Sequence, residues 1–243
     1  MIDIHSHIIF DVDDGPNTIE ESLDLIAESY AQGVRSIVAT SHRRKGMFET
    51  AEEKILINFN MLKEEVSKRY DDLTLYYGGE LYYTNEIPEK LNQGLVPRMN
   101  GTRFALVEFS MNTPWKEIHT GLSKVLMQGV TPVIAHIERY NALEFNKERV
   151  KELIDMGCYT QINSAHVLKP KLFGDKYKVF KKRARYFLEE NIVHCVASDM
   201  HNTDERKPYM KDAYQIIFKD YGKKRAHDLF KDNPQTLLEN NYL

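Results

Sequence analysis

Short β-branched and aromatic runs alternate along this chain with longer stretches whose apolar residues recur every three or four positions. These are the periods of a buried strand and of an amphipathic helix. The apolar runs cover residues 2–4, 36–39, 73–77, 104–107, 132–135, 159–162 and 193–197, which makes seven predicted strands. Thr18-Ile19-Glu20-Glu21 has capping-box spacing ahead of Leu23, Leu25, Ile26 and Tyr30, and Gly33 is the stop signal. Thr50-Ala51-Glu52-Glu53 predicts a second helix start, for a segment running through Tyr70. Thr113 before Pro114 suits an N-cap and a first helical residue. Further helices are predicted over 115–128, 147–156 and 176–190, with Gly129 and Gly157 as stops, and then near 204–221 and 223–230.

Alternating strands and helices imply a parallel sheet with helical crossovers. Seven strands in 243 residues predict an α/β barrel, closed or nearly so, in a single domain over 1–243, with a doubly wound open sheet as the competing topology. No low-complexity linker divides the chain and no repeat is visible in it. Hydrophobic residues make up 42% and charged residues 28%, a balance that supports a folded core and argues against disorder.

The net charge of -3 disfavours a nucleic-acid binder, which usually carries a basic excess. Of the short basic runs, Lys181-Lys182-Arg183 and Lys223-Lys224-Arg225 read as solvated helix faces, and Arg43-Arg44-Lys45 follows a strand. Cys158 and Cys195 sit in apolar stretches and read as buried free thiols. The N-terminus has no basic leader, and no stretch approaches the roughly 18 apolar residues of a membrane span. A cytoplasmic protein with no membrane insertion is expected.

The chemistry gathers where the strands end. The first predicted strand is followed by His5-Ser6-His7, the second by His42, the third by Glu80, the fourth by Glu108, the fifth by His136 and the seventh by Asp199-Met200-His201. The sixth is followed by Asn163, Ser164 and His166. Parallel α/β folds assemble their sites at the C-terminal ends of strands. A lone His-x-His or strand-end Glu means little, but six strands delivering a ligand type to one rim point to a metal site. Asp14, within the turn chemistry of Asp13-Asp14-Gly15-Pro16, adds a carboxylate after strand one. Imidazole with carboxylate suits Mn²⁺, Fe²⁺ or Zn²⁺.

These segments carry a resemblance. His5-Ser6-His7-Ile8-Ile9 with Val12-Asp13-Asp14-Gly15-Pro16 resembles the first motif of the polymerase-and-histidinol-phosphatase (PHP) superfamily. Thr40-Ser41-His42, Gly79-Glu80, Val107-Glu108-Phe109, Ala135-His136-Ile137-Glu138-Arg139-Tyr140 and Ala197-Ser198-Asp199-Met200-His201 extend it to about residue 208. Within the superfamily the chain looks like the bacterial tyrosine phosphatases encoded with capsular or exopolysaccharide genes, the CpsB/YwqE type. One departure is Phe10-Asp11, where the pattern has Pro-Gly.

The resemblance implies a distorted (βα)₇ barrel with up to three divalent ions, commonly manganese. It assigns His5, His7, Glu80 and Asp199 to one ion, Asp14, His42 and His201 to a second, and Glu80, Glu108 and His136 to a third. Three divalent ions would outweigh the four carboxylates and leave positive charge for a phosphate dianion. The implied reaction is hydrolysis of phosphotyrosine by metal-activated hydroxide, with His201 or the metal assisting the leaving group. The implied partner is an autophosphorylating tyrosine kinase of polysaccharide export with a tyrosine-rich tail.

Guanidinium forks match phosphate oxygens. Arg139, three residues after His136, and Arg206, five after His201, are the expected phosphate clamp, with Arg43 and Arg44 placed to meet the substrate. A cysteine-dependent phosphatase is excluded by counting: the sixth residue after Cys158 is Ser164 and after Cys195 is His201, where such enzymes need Arg. The alternatives are a PHP phosphoesterase acting on a small molecule such as histidinol phosphate, and a metal-stabilised binding module without turnover.

Overall fold

The computed structural model describes residues 1–171 and 173–243. Its strands are β1 (Ile2–Ser6), β2 (Ser36–Ala39), β3 (His42–Arg43), β4 (Thr74–Tyr77), β5 (Glu80–Tyr82), β6 (Phe104–Glu108), β7 (Thr131–Ile134), β8 (Tyr159–Asn163) and β9 (Cys195–Ala197). All the pairings between them are parallel, in the orders β1-β2-β4 and β3-β5-β6-β7-β8-β9. β2 with β3, and β4 with β5, are broken halves of single strand positions, so the seven expected positions stand among the described residues. The last meets the first through a bridge between Ser6 and Met200. There His7 N donates to Met200 O at 2.9 Å and Asp199 N to His5 O at 2.8 Å. The architecture is a distorted (βα)₇ barrel, not an open doubly wound sheet.

Gly78-Gly79 explains one break. A Cβ on Gly78 would stand 3.0 Å from Val38 Cγ1, and one on Gly79 2.8 Å from Pro97 Cγ. Only a residue without a side chain lets the strand cross its neighbours this closely, and Glu80 follows at once.

The helices are α1 (Ile19–Ala31), α2 (Glu52–Ser67), α3 (Ile87–Asn92), α4 (Trp115–Leu126), α5 (Lys147–Asp155), α6 (Ser164–Val167), α7 (Lys178–Glu189), α8 (Met210–Tyr221), α9 (Lys223–His227) and α10 (Asn233–Leu238). Thr18 caps α1 as expected, accepting from Glu21 N at 3.2 Å. The return arm differs: the Glu21 carboxylate accepts from Asn17 N at 2.7 Å. At α2 the expected box does not form. Ala51 is the cap, and the Thr50 hydroxyl donates to Val12 O at 2.8 Å, tying the helix to the loop after β1. Pro114 is the cap of α4, one residue later than expected. The α3, α6 and α10 segments are too short to show a helical period.

The run Lys181-Lys182-Arg183 is not a solvated face. Lys181 and Arg183 turn inward from α7, Lys181 to Asp175 at 2.9 Å and Arg183 to Glu144 at 3.1 Å.

Two apolar clusters hold the barrel. The larger lies between sheet and helices and includes Leu25, Ile37, Val107, Leu122 and Phe187. The smaller joins Ile2, Ile4, Val38, Phe104, Leu106, Val133, Cys195 and Ala197 with Leu237 and Leu238 of α10. Its strand members occupy alternate positions, one face of each strand. Continuing the same face upward, Phe104 and Leu106 lead to Glu108, and Cys195 and Ala197 lead to Asp199. The apolar rows thus end in carboxylates at the rim. Both cysteines are buried and free. Among the described residues no helix is long and apolar enough to cross a membrane.

Candidate metal centre

The nine residues singled out at strand ends converge on one cluster. Four overlapping groups each place one donor atom per residue within 4.8 Å: His7 with Asp14, His42 and His201; His5 with His136 and Asp199; His5 with His7 and Glu80; and His42 with Glu80 and Glu108. Glu80 is the hub. Its Oε1 lies 3.3 Å from His5 Nε2 and 2.9 Å from His136 Nε2, and its Oε2 lies 3.3 Å from His7 Nε2 and 2.9 Å from His42 Nδ1. His42 also reaches Glu108 Oε1 at 3.4 Å and, through Nε2, Asp14 Oδ1 at 3.4 Å. His201 Nε2 lies 3.2 Å from Asp14 Oδ1. The groups overlap: His5, His7 and Glu80 stand together as in the family-implied sorting, while His7 also joins the Asp14 set, Asp199 also groups with His5 and His136, and His42 also stands beside Glu108.

A second layer aims the imidazoles. His7 Nδ1 donates to Asp13 Oδ2 at 2.8 Å, His5 Nδ1 to Gln161 Oε1 at 3.1 Å, and His201 Nδ1 to Asp199 O at 2.9 Å. Each leaves Nε2 facing the cluster, the arrangement that orients metal-ligating histidines. Asp13 also accepts from His42 N at 2.9 Å, and Gln161 from His136 N at 2.8 Å. Gln161 Nε2 donates to Asn163 Oδ1, and Asn163 Nδ2 to Asp199 Oδ2 at 2.7 Å. β8, the strand without a ligand, therefore supplies the supports. Sequence reasoning missed Asp13, Gln161 and Asn163. For Asp13 the signal was present, since paired aspartates after His-x-His leave one to orient what the other cannot reach. A buried amide on a strand has no such signal.

The backbone is strained at two of the nine. His136 has φ of 33° and Asp199 of 52°, the left-handed region that costs a non-glycine residue about 1–3 kcal/mol. Asp11 stands where the family pattern has glycine and adopts φ of 55° itself, so the loop to Asp14 keeps its left-handed turn. Gly15 is sterically required: a Cβ there would lie 2.7 Å from His7 O.

The charges are strongly coupled. Burial opposes the imidazolium of His5, but Glu80 and Asp199 outweigh it and push His5 up to about 9. Burial likewise opposes the charge on His42, and Glu80, Asp14 and Glu108 push it up to about 12. His201 is held down at about 4 by burial and by His7. Burial also opposes ionisation of Glu80 and Asp199, yet both stay well below the usual carboxylate range, Glu80 through His5 and His42 and Asp199 through Arg206 and His5. Below the rim, burial raises Asp3 to about 6. Asp3 accepts from His5 N at 3.3 Å and Ser198 N at 2.9 Å, joining β1 to β9 under the site.

The cluster fits divalent ions. Among the described residues, His42 Nδ1, Glu80 Oε2, Glu108 Oε1 and His201 Nε2 are buried without a hydrogen-bond partner. Such atoms cost free energy unless something satisfies them, and cations in their midst would satisfy all four.

The arginines divide. Arg206 reaches Asp14 Oδ2 and Asp199 Oδ1 at 3.0 Å each, and Arg139 reaches Asp199 Oδ2 at 3.6 Å. Both stand at the cluster's mouth. Arg43 turns away: its guanidinium forks onto Glu52 at 2.7 and 3.1 Å and meets Tyr77 Oη at 3.1 Å. Arg44 lies over the Tyr82 ring, 4.3 Å from its centroid. His166, on α6, donates from Nδ1 to Glu138 Oε1 at 2.7 Å and takes no place in the cluster.

Comparison with known proteins agrees with this geometry. A family model described as capsular polysaccharide synthesis, CpsB/CapC, matches residues 1–239. The chain is 67% identical to the tyrosine-protein phosphatase CpsB of Streptococcus agalactiae over 243 residues, all of both chains. It is 65% identical to the tyrosine-protein phosphatase CpsB of Streptococcus pneumoniae over 238 residues, 98% of each. A solved chain from crystal structures of YwqE from Bacillus subtilis and CpsB from Streptococcus pneumoniae, described as metal-dependent tyrosine phosphatases, matches with TM-score 0.88 at 28% identity, covering 100% of this chain and 96% of that one. The strand-end ligands, the barrel and the match along the whole chain have one reading: this chain belongs to the CpsB/CapC family of capsular polysaccharide synthesis.

Proposed function

We propose that the protein is a metal-dependent protein-tyrosine phosphatase. The observation that carries this reading is the convergence of nine imidazole and carboxylate ligands beneath two arginines at the mouth of a barrel. His5, His7, Asp14, His42, Glu80, Glu108, His136, Asp199 and His201 hold the ions, up to three, with Mn²⁺ the preferred metal. Bound ions supply Lewis acidity: they offset the phosphate's charge and make water acidic enough to attack phosphorus near neutral pH.

The chain's own residues do the rest. Arg139 and Arg206 clamp the phosphate oxygens through their planar forks. His201, held neutral, serves as a ligand rather than as a proton donor. The leaving group needs little help, because a phenol with a pKa of about 10 departs far more easily than an alkyl alcohol. Arg44, beside Tyr82, meets the polypeptide around the phosphotyrosine, and Arg43 braces α2 through Glu52. The substrate is a phosphotyrosine protein. Within capsular polysaccharide synthesis, a cytoplasmic autophosphorylating kinase with a tyrosine-rich tail fits that description. Histidinol phosphate is the less favoured substrate, since the highly identical relatives are named tyrosine-protein phosphatases.

The test is hydrolysis of a phosphotyrosine peptide by metal-stripped protein, then with Mn²⁺ restored, beside His136→Ala. Turnover that needs Mn²⁺ and is lost in the variant is expected. Metal binding without turnover on phosphotyrosine overturns the substrate assignment.

A further inference from the structure

Beside the cluster lies a cavity of about 210 Å³ that the chemistry above does not use. Its lining includes Arg139 and Arg206, the proposed phosphate clamp, with Asp199 of the cluster. His166, Tyr177 and Phe180 line it as well. Its three rings touch one another: His166 lies 5.4 Å from Tyr177 and 5.2 Å from Phe180, and Tyr177 stacks on Phe180 at 6.4 Å. The cavity thus brings charged groups, with Lys207 and Glu205 beside the arginines, together with aromatic side chains, and its volume suffices for one six-membered ring, since cavities of about 150 Å³ bind benzene.

We infer that this cavity receives the aromatic ring of the substrate, so that His166, Tyr177 and Phe180 select phosphotyrosine over shorter phosphoesters. The inference rests on the phosphotyrosine reading above and adds the residues that set its specificity. A phosphoserine held by the same arginines has no ring to lay against the aromatic lining.

The arginine and aromatic parts of the lining are tied together by hydrogen bonds. Tyr177, Phe180 and Arg183 recur every third residue along the start of α7 and so share one face. Arg183 carries that face to the arginine clamp. Its Nη1 donates to Glu138 O at 3.3 Å and Arg139 O at 3.5 Å, and its Nη2 to Asn141 Oδ1 at 2.8 Å. From the other side, Glu138 Oε1 accepts from His166 Nδ1 at 2.7 Å and Asn163 N at 2.8 Å, which sets the plane of the His166 ring. One short segment, Glu138-Arg139, therefore ties phosphate clamp to ring wall. The buried Arg183 and His166 that the sequence left without a role have one here.

The experiment compares Phe180→Ala and the milder Phe180→Leu with the unaltered protein, all loaded with Mn²⁺. The readouts are kcat and KM on a phosphotyrosine peptide and the inhibition constant of inorganic phosphate. Removing one aromatic wall should lower kcat/KM for the peptide about tenfold, mostly through KM, with Phe180→Leu intermediate. The phosphate inhibition constant should not move, because phosphate alone does not reach the rings. An unchanged kcat/KM in both variants overturns the subsite while leaving the phosphatase reading intact. Parallel weakening of peptide and phosphate also overturns it, since Phe180 would then act by shaping the metal centre. If the unaltered protein does not hydrolyse phosphotyrosine, the underlying reading falls and the subsite with it.

Discussion

The two ends of the barrel are built from the same strands and obey opposite rules. At the floor, Phe104, Leu106, Val133, Cys195 and Ala197 pack against Leu237 and Leu238. At the rim, one or two residues further along, the same rows carry Glu108 and Asp199, with left-handed backbone at His136 and Asp199 and orphaned donors and acceptors. The floor is stable by itself because dispersion and apolar burial need no partner from outside. The rim collects buried like-charged carboxylates and strained ligands that are comfortable only around cations. Stability and chemistry are thus separated along one strand direction, a few residues apart.

The sharpest way to break that comparison is to change the hub of the rim. Glu80→Gln keeps the shape but removes the charge shared by four histidines. Phosphatase activity should fall about 10³-fold, equivalent to about 4 kcal/mol of transition-state stabilisation, with the circular dichroism spectrum unchanged. If instead the protein unfolds and residual activity per folded molecule is normal, the rim is structural and the separation fails.

The floor should answer in the other currency. Leu237→Ala, at a fully buried side chain of α10, should lower the unfolding free energy by about 2–5 kcal/mol in urea titrations. Mn²⁺ at a hundredfold excess over its dissociation constant should add about 2.7 kcal/mol per bound ion to the unaltered protein. It should add the same increment to Leu237→Ala, on α10 beneath the floor, and clearly less to Glu80→Gln, because separated sites are additive and Glu80 belongs to two of the four groups. A reduced increment in Leu237→Ala shows that floor and rim are coupled.

A smaller effect is expected one layer out. Asp13→Asn leaves every ligand in place but withdraws the carboxylate from His7 Nδ1. Metal affinity should weaken about 10–100-fold, which is about 1.4–2.8 kcal/mol, as read by calorimetry. The amide can still accept from His42 N, so the loop itself should hold.

This layered behaviour explains what the chain discloses before it is folded. The clustered residues were legible because all but Asp14 stand just after a short β-branched run, and parallel folds place strand ends at one rim. The floor was legible for the same reason. The supports were not: His5 finds Gln161 across 156 residues of chain, and no local pattern announces such a pairing. Nor did the broken strands show as breaks, although Gly78-Gly79 before Glu80 is a visible signal for one of them. At α2 the expected cap lost to competition, since the Thr50 hydroxyl found Val12 O instead. The buried ends of α7 looked solvated because Lys and Arg usually are. Tertiary partners, here Asp175 and the Glu138-Arg139 carbonyls, overrode that habit.

The smallest effect should appear in the metal-free protein as a pH dependence confined to the rim. His5 titrates near 9 in the fold, above its ordinary value of 6.5, because Glu80 and Asp199 hold its charged form against the pull of burial. A raised folded pKa means that the fold binds the proton more tightly than the unfolded chain does. The resulting stability is fully present below about 6.5 and is lost as pH rises towards 9. His42 adds to the same trend, up to about 12, whereas His201, held at about 4, is neutral throughout this window. The Tm of the metal-stripped protein should therefore decline between pH 6.5 and 9. Ions replace those protons when they bind, so loading with Mn²⁺ near pH 7.5 should release protons, measurable as a buffer-dependent binding enthalpy. The loaded protein should lose the decline, since cations then do at every pH what imidazolium does only at low pH. Cys195, the thiol in the floor cluster, is pushed up by burial and stays protonated in the fold across this window, so Leu237→Ala should shift the whole Tm curve downward without changing its slope. A changed slope in that variant shows that the charges at the rim feel the packing beneath them.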